Sequence, residues 1–151
     1  MSDKITSFKQ VEEALDFLGD NILELQEVIL IGGAAFLEYS MKKETKDIDL
    51  VMKKKTFEDI DFDLRFLDVW TFRDSDLNKS LGEAAEKLGP WDLRRFMLEK
   101  NRHISFGCTI DVFINDQLYD ELAKEALSAT LHGKLHVERL RYDKLKTLAA
   151  R

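Results

Sequence analysis

The spacing of apolar residues along the chain changes between two periods, and each period predicts one kind of secondary structure. Apolar residues three or four apart are typical of a helix with one buried face, whereas apolar residues two apart are typical of a strand. Helical spacing and residues that favour helices predict helices at 6–23, 34–39, 56–67, 77–88, 91–99, 117–128 and around Leu145, Leu148 and Ala149.

Strand segments alternate with these helices. The predicted strands are 27–31, 47–52, a segment from 104 to 114 that forms either two strands or one strand bent at Gly107, and an edge strand with Leu135 and Val137. Residues 68–76 fit a strand or a turn, and Gly89-Pro90 predicts a break. Strands separated by helices predict an α/β (α+β) fold, a mixed β-sheet flanked by helices. No linker or repeat divides the chain, so we expect a single domain over 1–151.

The composition predicts a folded, cytoplasmic protein. Hydrophobic residues make up 44% of the chain and charged residues 34%, which excludes disordered and fibrous classes. The net charge of −6 argues against binding nucleic acid through overall charge, so any such contact must be local. No apolar stretch approaches the roughly 20 residues that span a bilayer, and the first residues lack the apolar core of a signal peptide. The one cysteine, Cys108, fits a reducing compartment.

The first segment with chemical meaning is Gly32-Gly33, which follows the predicted strand 27–31 and precedes a predicted helix. Backbone N–H groups are exposed where a helix begins, and glycines let an anion approach them closely. The segment therefore predicts a phosphate-binding site.

The second segment is Asp47-Ile48-Asp49, on the next predicted strand. Residues two apart in a strand point to the same face, so both carboxylates can lean toward one hard cation such as Mg²⁺. Asp111 lies in the later alternating segment, and a neighbouring strand can bring it beside the pair. The sequence thus predicts three carboxylates close together and near the glycines.

These segments, in this order and spacing, resemble the nucleotidyltransferase superfamily that includes DNA polymerase beta. The family pattern is a strand, Gly-Gly or Gly-Ser, a helix, Asp-x-Asp, and a third acidic residue on a later strand. The chain looks most similar to small prokaryotic members, including relatives of abortive-infection toxins. These members have a basic, threonine-containing run before the aspartates, which segment 42–46 resembles. They also have a late lysine segment, which segment 146–151 resembles.

The resemblance implies Mg²⁺-dependent transfer of a nucleoside monophosphate from a nucleoside triphosphate to a hydroxyl group of an RNA, a protein or a small molecule, with Mn²⁺ as the alternative cation. It implies catalytic and metal-binding roles for Asp47, Asp49 and Asp111. It implies nucleotide-binding roles for Gly32, Gly33, Lys43, Thr45, Lys46 and Lys146. Because 151 residues leave little beyond the catalytic sheet, a protein partner or a homodimer is expected to complete the site.

Other interpretations stay open. A Gly-Gly pair alone is commonly a turn, and an Asp-x-Asp pair alone is commonly a solvated strand face. The lysines beside the aspartates fit a solvated strand edge or a basic rim for phosphates equally well. Two rival functions are a nucleotide-binding or regulatory module without turnover, and an interaction protein such as one half of a toxin–antitoxin pair.

Several other kinds of site are excluded. The chain has no P-loop and no Rossmann glycine motif. A second Asp-x-Asp, Asp59-Ile60-Asp61, lacks the glycine and glutamate of a calcium-binding EF-hand loop and fits an exposed helix face. The three histidines have no convincing zinc spacing.

Overall fold

The computed structural model of the protein describes residues 4–72 and 92–149. The helices in these residues are α1 (Phe8–Asp20), α2 (Gly32–Glu38), α3 (Lys54–Leu64), α4 (Asp116–Ala123) and α5 (Tyr142–Ala149). The strands are β1 (Gln26–Ile31), β2 (Asp47–Met52), β3 (Trp70–Phe72), β4 (Asp92–Leu98), β5 (Cys108–Ile114), β6 (Ala126–His132) and β7 (Leu135–Leu140). No helix in this part of the chain is long and apolar enough to cross a membrane.

The strands form one seven-stranded sheet in the order β3-β4-β5-β2-β1-β7-β6. The β2–β5 and β1–β7 pairs are parallel, and the other neighbouring pairs are antiparallel. The predicted mixed sheet flanked by helices is therefore confirmed. The helices predicted at 6–23, 34–39 and 56–67 correspond to α1, α2 and α3, and the C-terminal helix corresponds to α5.

One face of the central strands forms the apolar core. Ile48 and Leu50 of β2 and Ile110 and Val112 of β5 are almost completely buried. The helices α1 and α3 cover this face, where side chains such as Leu18 and Ile60 meet the strand residues. Burying one such side chain contributes about 1.5–3 kcal/mol, so this face holds the strands in their register.

The strand registers align three charged residues across the opposite face. Asp49 of β2 lies opposite Asp111 of β5, and Arg95 of β4 lies opposite Asp111 from the other side. Directly opposed residues on neighbouring strands point to the same face of a sheet. Three adjacent strands thus bring Asp49, Asp111 and Arg95 into one row.

The helix predicted at 91–99 is wrong, because residues 92–98 form strand β4. This strand lies between β3 and β5; it pairs with β5 along its whole length and with β3 over Phe96–Leu98. Phe96 stacks on Trp70 at a ring-centre distance of 4.3 Å, which holds β4 against β3. Tertiary pairing has outweighed local helix propensity here. Trp91 and the predicted helix 77–88 with its break at 89–90 lie outside the described residues.

Two further elements differ from the predictions, and the structure resolves two segments that the sequence left open. The helix predicted at 117–128 ends at Ala123, and residues 126–128 belong to strand β6, whose side chains are mostly exposed and carry no helical pattern of burial. The predicted edge strand β7 lies between β1 and β6 instead, and in the part of the chain that the structure describes β6 lies at this edge of the sheet. The segment before Gly107 is irregular, and a single strand begins after it at Cys108. Residues 70–72 of the open segment 68–76 form β3.

The hairpin between β6 and β7 packs tightly on the end of α1. The N–H of Lys134 donates to the carbonyl oxygen of Gly19 at 3.0 Å. The His132 ring nitrogen Nδ1 lies 2.7 Å from Asp16 Oδ1. A Cβ atom at Gly19 would overlap the carbonyl oxygen of His132, so only glycine permits this approach.

We expect Gly19→Ala to destabilise the protein by about 2 kcal/mol or more, because the overlap forces the hairpin away from α1. In an ordinary helix the same change stabilises by up to about 1 kcal/mol, so the sign of the effect tests the contact. Denaturant unfolding measures it. Glu12→Ala, at an exposed position of α1, should change stability by less than about 0.5 kcal/mol. Stabilisation by Gly19→Ala would contradict this packing.

Candidate functional site

The structure brings the three predicted aspartates together on one face of the sheet. Asp47 and Asp49 are two residues apart on β2, and Asp111 lies opposite Asp49 on the neighbouring parallel strand β5. Asp111 is almost completely buried, and Asp47 keeps 37% of its side chain exposed. The arrangement is a cluster of carboxylates that is exposed to solvent at Asp47.

A fourth residue, Arg95, belongs to this site and was not predicted from the sequence. Its Nε donates to Asp111 Oδ1 at 2.6 Å, and its Nη2 donates to Asp111 Oδ2 at 2.8 Å. The same Nη2 lies 3.8 Å from Asp47 Oδ2. A bidentate arginine–carboxylate pair of this kind is geometrically specific and strong. Arg95 therefore joins the carboxylates of two strands.

The charges in the site are not balanced. Loss of solvent raises the pKa of Asp49 well above its usual value, and the neighbouring charges of Asp111 and Asp47 raise it further. Loss of solvent and the Asp111 charge also raise the pKa of Asp47. The hydrogen bonds to Asp111 raise the pKa of Arg95, which keeps the guanidinium charged. Arg95 faces the three carboxylates, while the positive charges of Lys42 and Lys46 act on Asp47. The buried neighbours Asp49 and Asp111 therefore favour a further positive charge between them, either a proton or a cation.

Gly32 and Gly33 are both required by their contacts. Gly32 has a φ of +70°, in the left-handed region that favours glycine, and a Cβ atom there would overlap the Asp49 carboxylate. A Cβ atom at Gly33 would lie 2.5 Å from Thr45 Oγ1 and 3.0 Å from Lys42 Nζ. The glycines therefore let the start of α2 lie directly beside Asp49. Their predicted contact with phosphate stays a prediction.

The remaining predicted site residues lie in different parts of the structure. Thr45 is buried, and its hydroxyl donates to the carbonyl oxygen of Asp47 at 3.3 Å, which helps to position that residue. The positive charges of Lys46 and Lys42 lie close enough to lower the pKa of Asp47, partly opposing the rise. Lys43 is exposed to solvent. Lys146 belongs to α5, where its Nζ lies 5.6 Å from the centre of the Tyr142 ring.

The donor atoms fit a hard divalent cation. Carboxylate oxygens are the usual ligands of Mg²⁺ and Mn²⁺, and the excess negative charge around Arg95 would be offset by such an ion. Over residues 4–72 and 92–149, no three or more histidine, cysteine, aspartate or glutamate side chains are already arranged as a metal-binding group. In the structure Asp111 is paired with Arg95.

A comparison with protein-family models finds no match to the chain, and a comparison with curated proteins finds no significant similarity. The resemblance to nucleotidyltransferases therefore depends on the residues and spacing of the site alone. It stays a prediction.

We expect Asp49→Asn to stabilise the protein at neutral pH, because it removes an ionisable carboxyl group whose pKa is raised by loss of solvent and by the charges of Asp111 and Asp47. The pKa of Asp49 is higher in the folded than in the unfolded state, so the ionised carboxylate costs stability as the pH rises above its usual pKa. The gain in melting temperature over the parent should therefore be absent near pH 3 and grow toward pH 8.

Asp59→Asn is the matched control for this experiment, because Asp59 starts the other Asp-x-Asp segment and its hydrogen bond with Lys55 lowers its pKa. It should leave the melting temperature unchanged or lower it. An Asp49→Asn variant that is less stable than the parent at every pH would show that Asp49 is a structural hydrogen-bond acceptor instead.

We expect Arg95→Met to destabilise the protein by about 3–5 kcal/mol, because it leaves the buried Asp111 without its partner. Its neighbour Arg94 pairs with Asp92 at a more exposed position, so Arg94→Met should cost about 1 kcal/mol or less. Adding Asp111→Asn to Arg95→Met should recover part of the loss. Denaturant unfolding of the three variants measures these differences, and equal costs for the two arginines would contradict the assigned role of Arg95.

Proposed function

We propose that the protein is a divalent-cation-dependent nucleotidyltransferase, which transfers a nucleoside monophosphate from a nucleoside triphosphate to a hydroxyl group of a second substrate. The bond between the α- and β-phosphates breaks, and pyrophosphate and the hydroxyl proton are released. The observation that supports this proposal is the placement of Asp47, Asp49 and Asp111 on one face of two parallel strands, with Gly32 against Asp49. Three carboxylates with one guanidinium provide the donor set and the unbalanced charge that a cation-dependent phosphoryl site needs.

In this proposal, Asp47, Asp49 and Asp111 hold Mg²⁺ or Mn²⁺. When bound, the cation supplies charge neutralisation at the phosphates and lowers the pKa of the attacking hydroxyl. The open side of the site lies at Asp47, where Lys42 and Lys46 add positive charge. These lysines would attract the triphosphate, although the protein as a whole is acidic.

Arg95 would stabilise the acidic cluster of the proposed enzyme when no cation is bound. Its guanidinium neutralises Asp111 and lies near Asp47, so it compensates the acidic cluster without a cation. A cation that binds Asp111 must compete with these hydrogen bonds. We therefore expect Arg95 to weaken cation binding and to lower the cost of keeping the carboxylates together.

A second candidate is a nucleotide-binding module without turnover. The bidentate Arg95–Asp111 pair favours it, because the pair satisfies Asp111 within the protein. The two candidates differ in one measurable respect. An enzyme transfers label to an acceptor, whereas a binding module holds the nucleotide unchanged.

The test is a transfer assay with each of the four labelled ribonucleoside triphosphates and Mg²⁺ or Mn²⁺. Total RNA, total protein and a small-molecule extract serve as the acceptor pools. We expect label transfer by the parent, and a loss of at least about 100-fold in Asp49→Asn and in Asp111→Asn, since these changes remove metal ligands. EDTA should abolish transfer.

Asp59→Asn is again the matched control and should transfer at the parent's rate, because Asp59 lies on α3 away from the row of charges on β2 and β5. Calorimetric titration with a triphosphate, with Mg²⁺ and with EDTA, is run in parallel. Mg²⁺-dependent binding without transfer in any pool would support the binding module. No binding and no transfer would overturn both candidates.

A further inference from the structure

The edge strand β6 has the properties of a surface that pairs with another strand. Among the described residues, β6 has a partner strand on one side only, which is β7. Its residues from Leu127 to Leu131 are exposed, and Leu127 and Leu131 expose 55% and 67% of their surface. None of the residues of β6 is aspartate, glutamate, lysine or arginine. Natural edge strands usually carry such charges, or a proline, to prevent pairing.

The backbone of β6 presents hydrogen-bonding groups outward at alternate residues. The loop to β7 has two residues, with Gly133 at a φ of +59°, and His132 pairs with Leu135 across it. In a two-residue hairpin the closing pair exchanges its backbone hydrogen bonds. By alternation, Thr130 and Ser128 also bond toward β7, so the N–H and C=O groups of Ala129 and Leu131 point to the open edge.

The sequence of β6 is nearly symmetric about Ala129. Ser128 and Thr130 flank it, and Leu127 and Leu131 lie one position further out. If two copies pair antiparallel with Ala129 opposite Ala129, each Leu131 lies opposite Leu127 of the second copy, and each Ser128 lies opposite Thr130. Apolar residues then meet apolar residues and hydroxyls meet hydroxyls, which is the pattern that stabilises cross-strand pairs.

We propose that two copies of the chain associate through β6, antiparallel and about a two-fold axis at Ala129, so that their sheets become one continuous sheet. The symmetry of the β6 sequence about Ala129 favours a second copy of the chain as the partner, since pairing with an unrelated strand would need no such symmetry. The register irregularity in β6 lies between Ala126 and Ser128, so Leu127 lies at a bulge and the regular ladder covers residues 128–132. The pairs nearest the proposed axis, Ala129 with Ala129 and Ser128 with Thr130, lie within this regular part, whereas the contact of Leu131 with Leu127 lies at the bulge. This proposal does not depend on nucleotide transfer.

The first test is sedimentation equilibrium of the full chain over a range of concentrations. Ala129→Pro removes an N–H that points outward while leaving the bonds to β7, and proline is tolerated at such edge positions. Leu131→Lys places a charge where it meets Leu127 of the second copy. We expect a dimer for the parent, and at least a tenfold rise in the dissociation constant for each variant.

Leu23→Lys is the matched control, because Leu23 is 72% exposed and lies outside β6. It should leave the dissociation constant unchanged. Thermal unfolding of all variants shows that they remain folded. A parent that is monomeric at every concentration, or a dimer that Ala129→Pro and Leu131→Lys leave intact, would overturn the proposal.

A cysteine at the two-fold axis gives a second, independent test. Hydrogen-bonded residues directly opposite each other in an antiparallel pair have Cα atoms about 5.5 Å apart, within the range that a disulfide bridges. Ala129→Cys should therefore form a disulfide-linked dimer rapidly on mild oxidation, while native Cys108 is buried. Leu23→Cys is the control for random collision. Equal rates for the two variants would place the contact away from β6.

Discussion

The candidate site depends on the parallel pairing of β2 with β5. This pairing places Asp49 opposite Asp111, and it also places Leu50 opposite Val112 on the other face. Shifting one strand by a single residue would turn every side chain of that strand to the opposite face. The apolar residues then could not be buried against α1 and α3, so the core that stabilises the fold also determines where the carboxylates meet.

Bringing the three carboxylates together costs electrostatic free energy, and this cost does not stabilise the fold. Asp49 and Asp111 repel each other, and the pKa of Asp49 is raised by the loss of solvent and by that repulsion. Arg95 offsets the charge of Asp111 but does not match all three carboxylates. Clusters of groups with perturbed pKa values are more common at functional sites than elsewhere. The charged face of β2 and β5 is therefore the candidate functional surface of the protein.

The sequence predicted the strands that have a clear alternation or a short run of β-favouring residues before a glycine turn, and it missed β4 and β6. In β2 the acidic residues alternate with buried apolar ones, so both the strand and its open face could be predicted. In β4 three consecutive residues, Phe96 to Leu98, are all buried, and such a run does not distinguish a strand from a helix. In β6 exposure on both faces leaves no period at all. Arg95 was missed because it lies on β4. Its contact with Asp111 requires this strand, which only pairing with distant parts of the chain defines. One signal was available. Three predicted carboxylates require a positive charge nearby, and a strand at 92–98 would have brought Arg95 to them.

The two proposals together limit the kind of acceptor that the protein would use. A two-fold axis through an antiparallel strand pair is perpendicular to the sheet, so both acidic clusters would lie on the same face of the continuous sheet. Strands β1, β7 and β6 separate β2 from the axis, and with a spacing of about 4.8 Å between strands the two clusters would lie roughly 35–40 Å apart. A small-molecule acceptor gains nothing from two sites at that distance. A long acceptor such as an RNA strand or a protein surface can contact both at once, and this raises its effective concentration at each site. If both proposals hold, a macromolecular acceptor is therefore favoured over a small one.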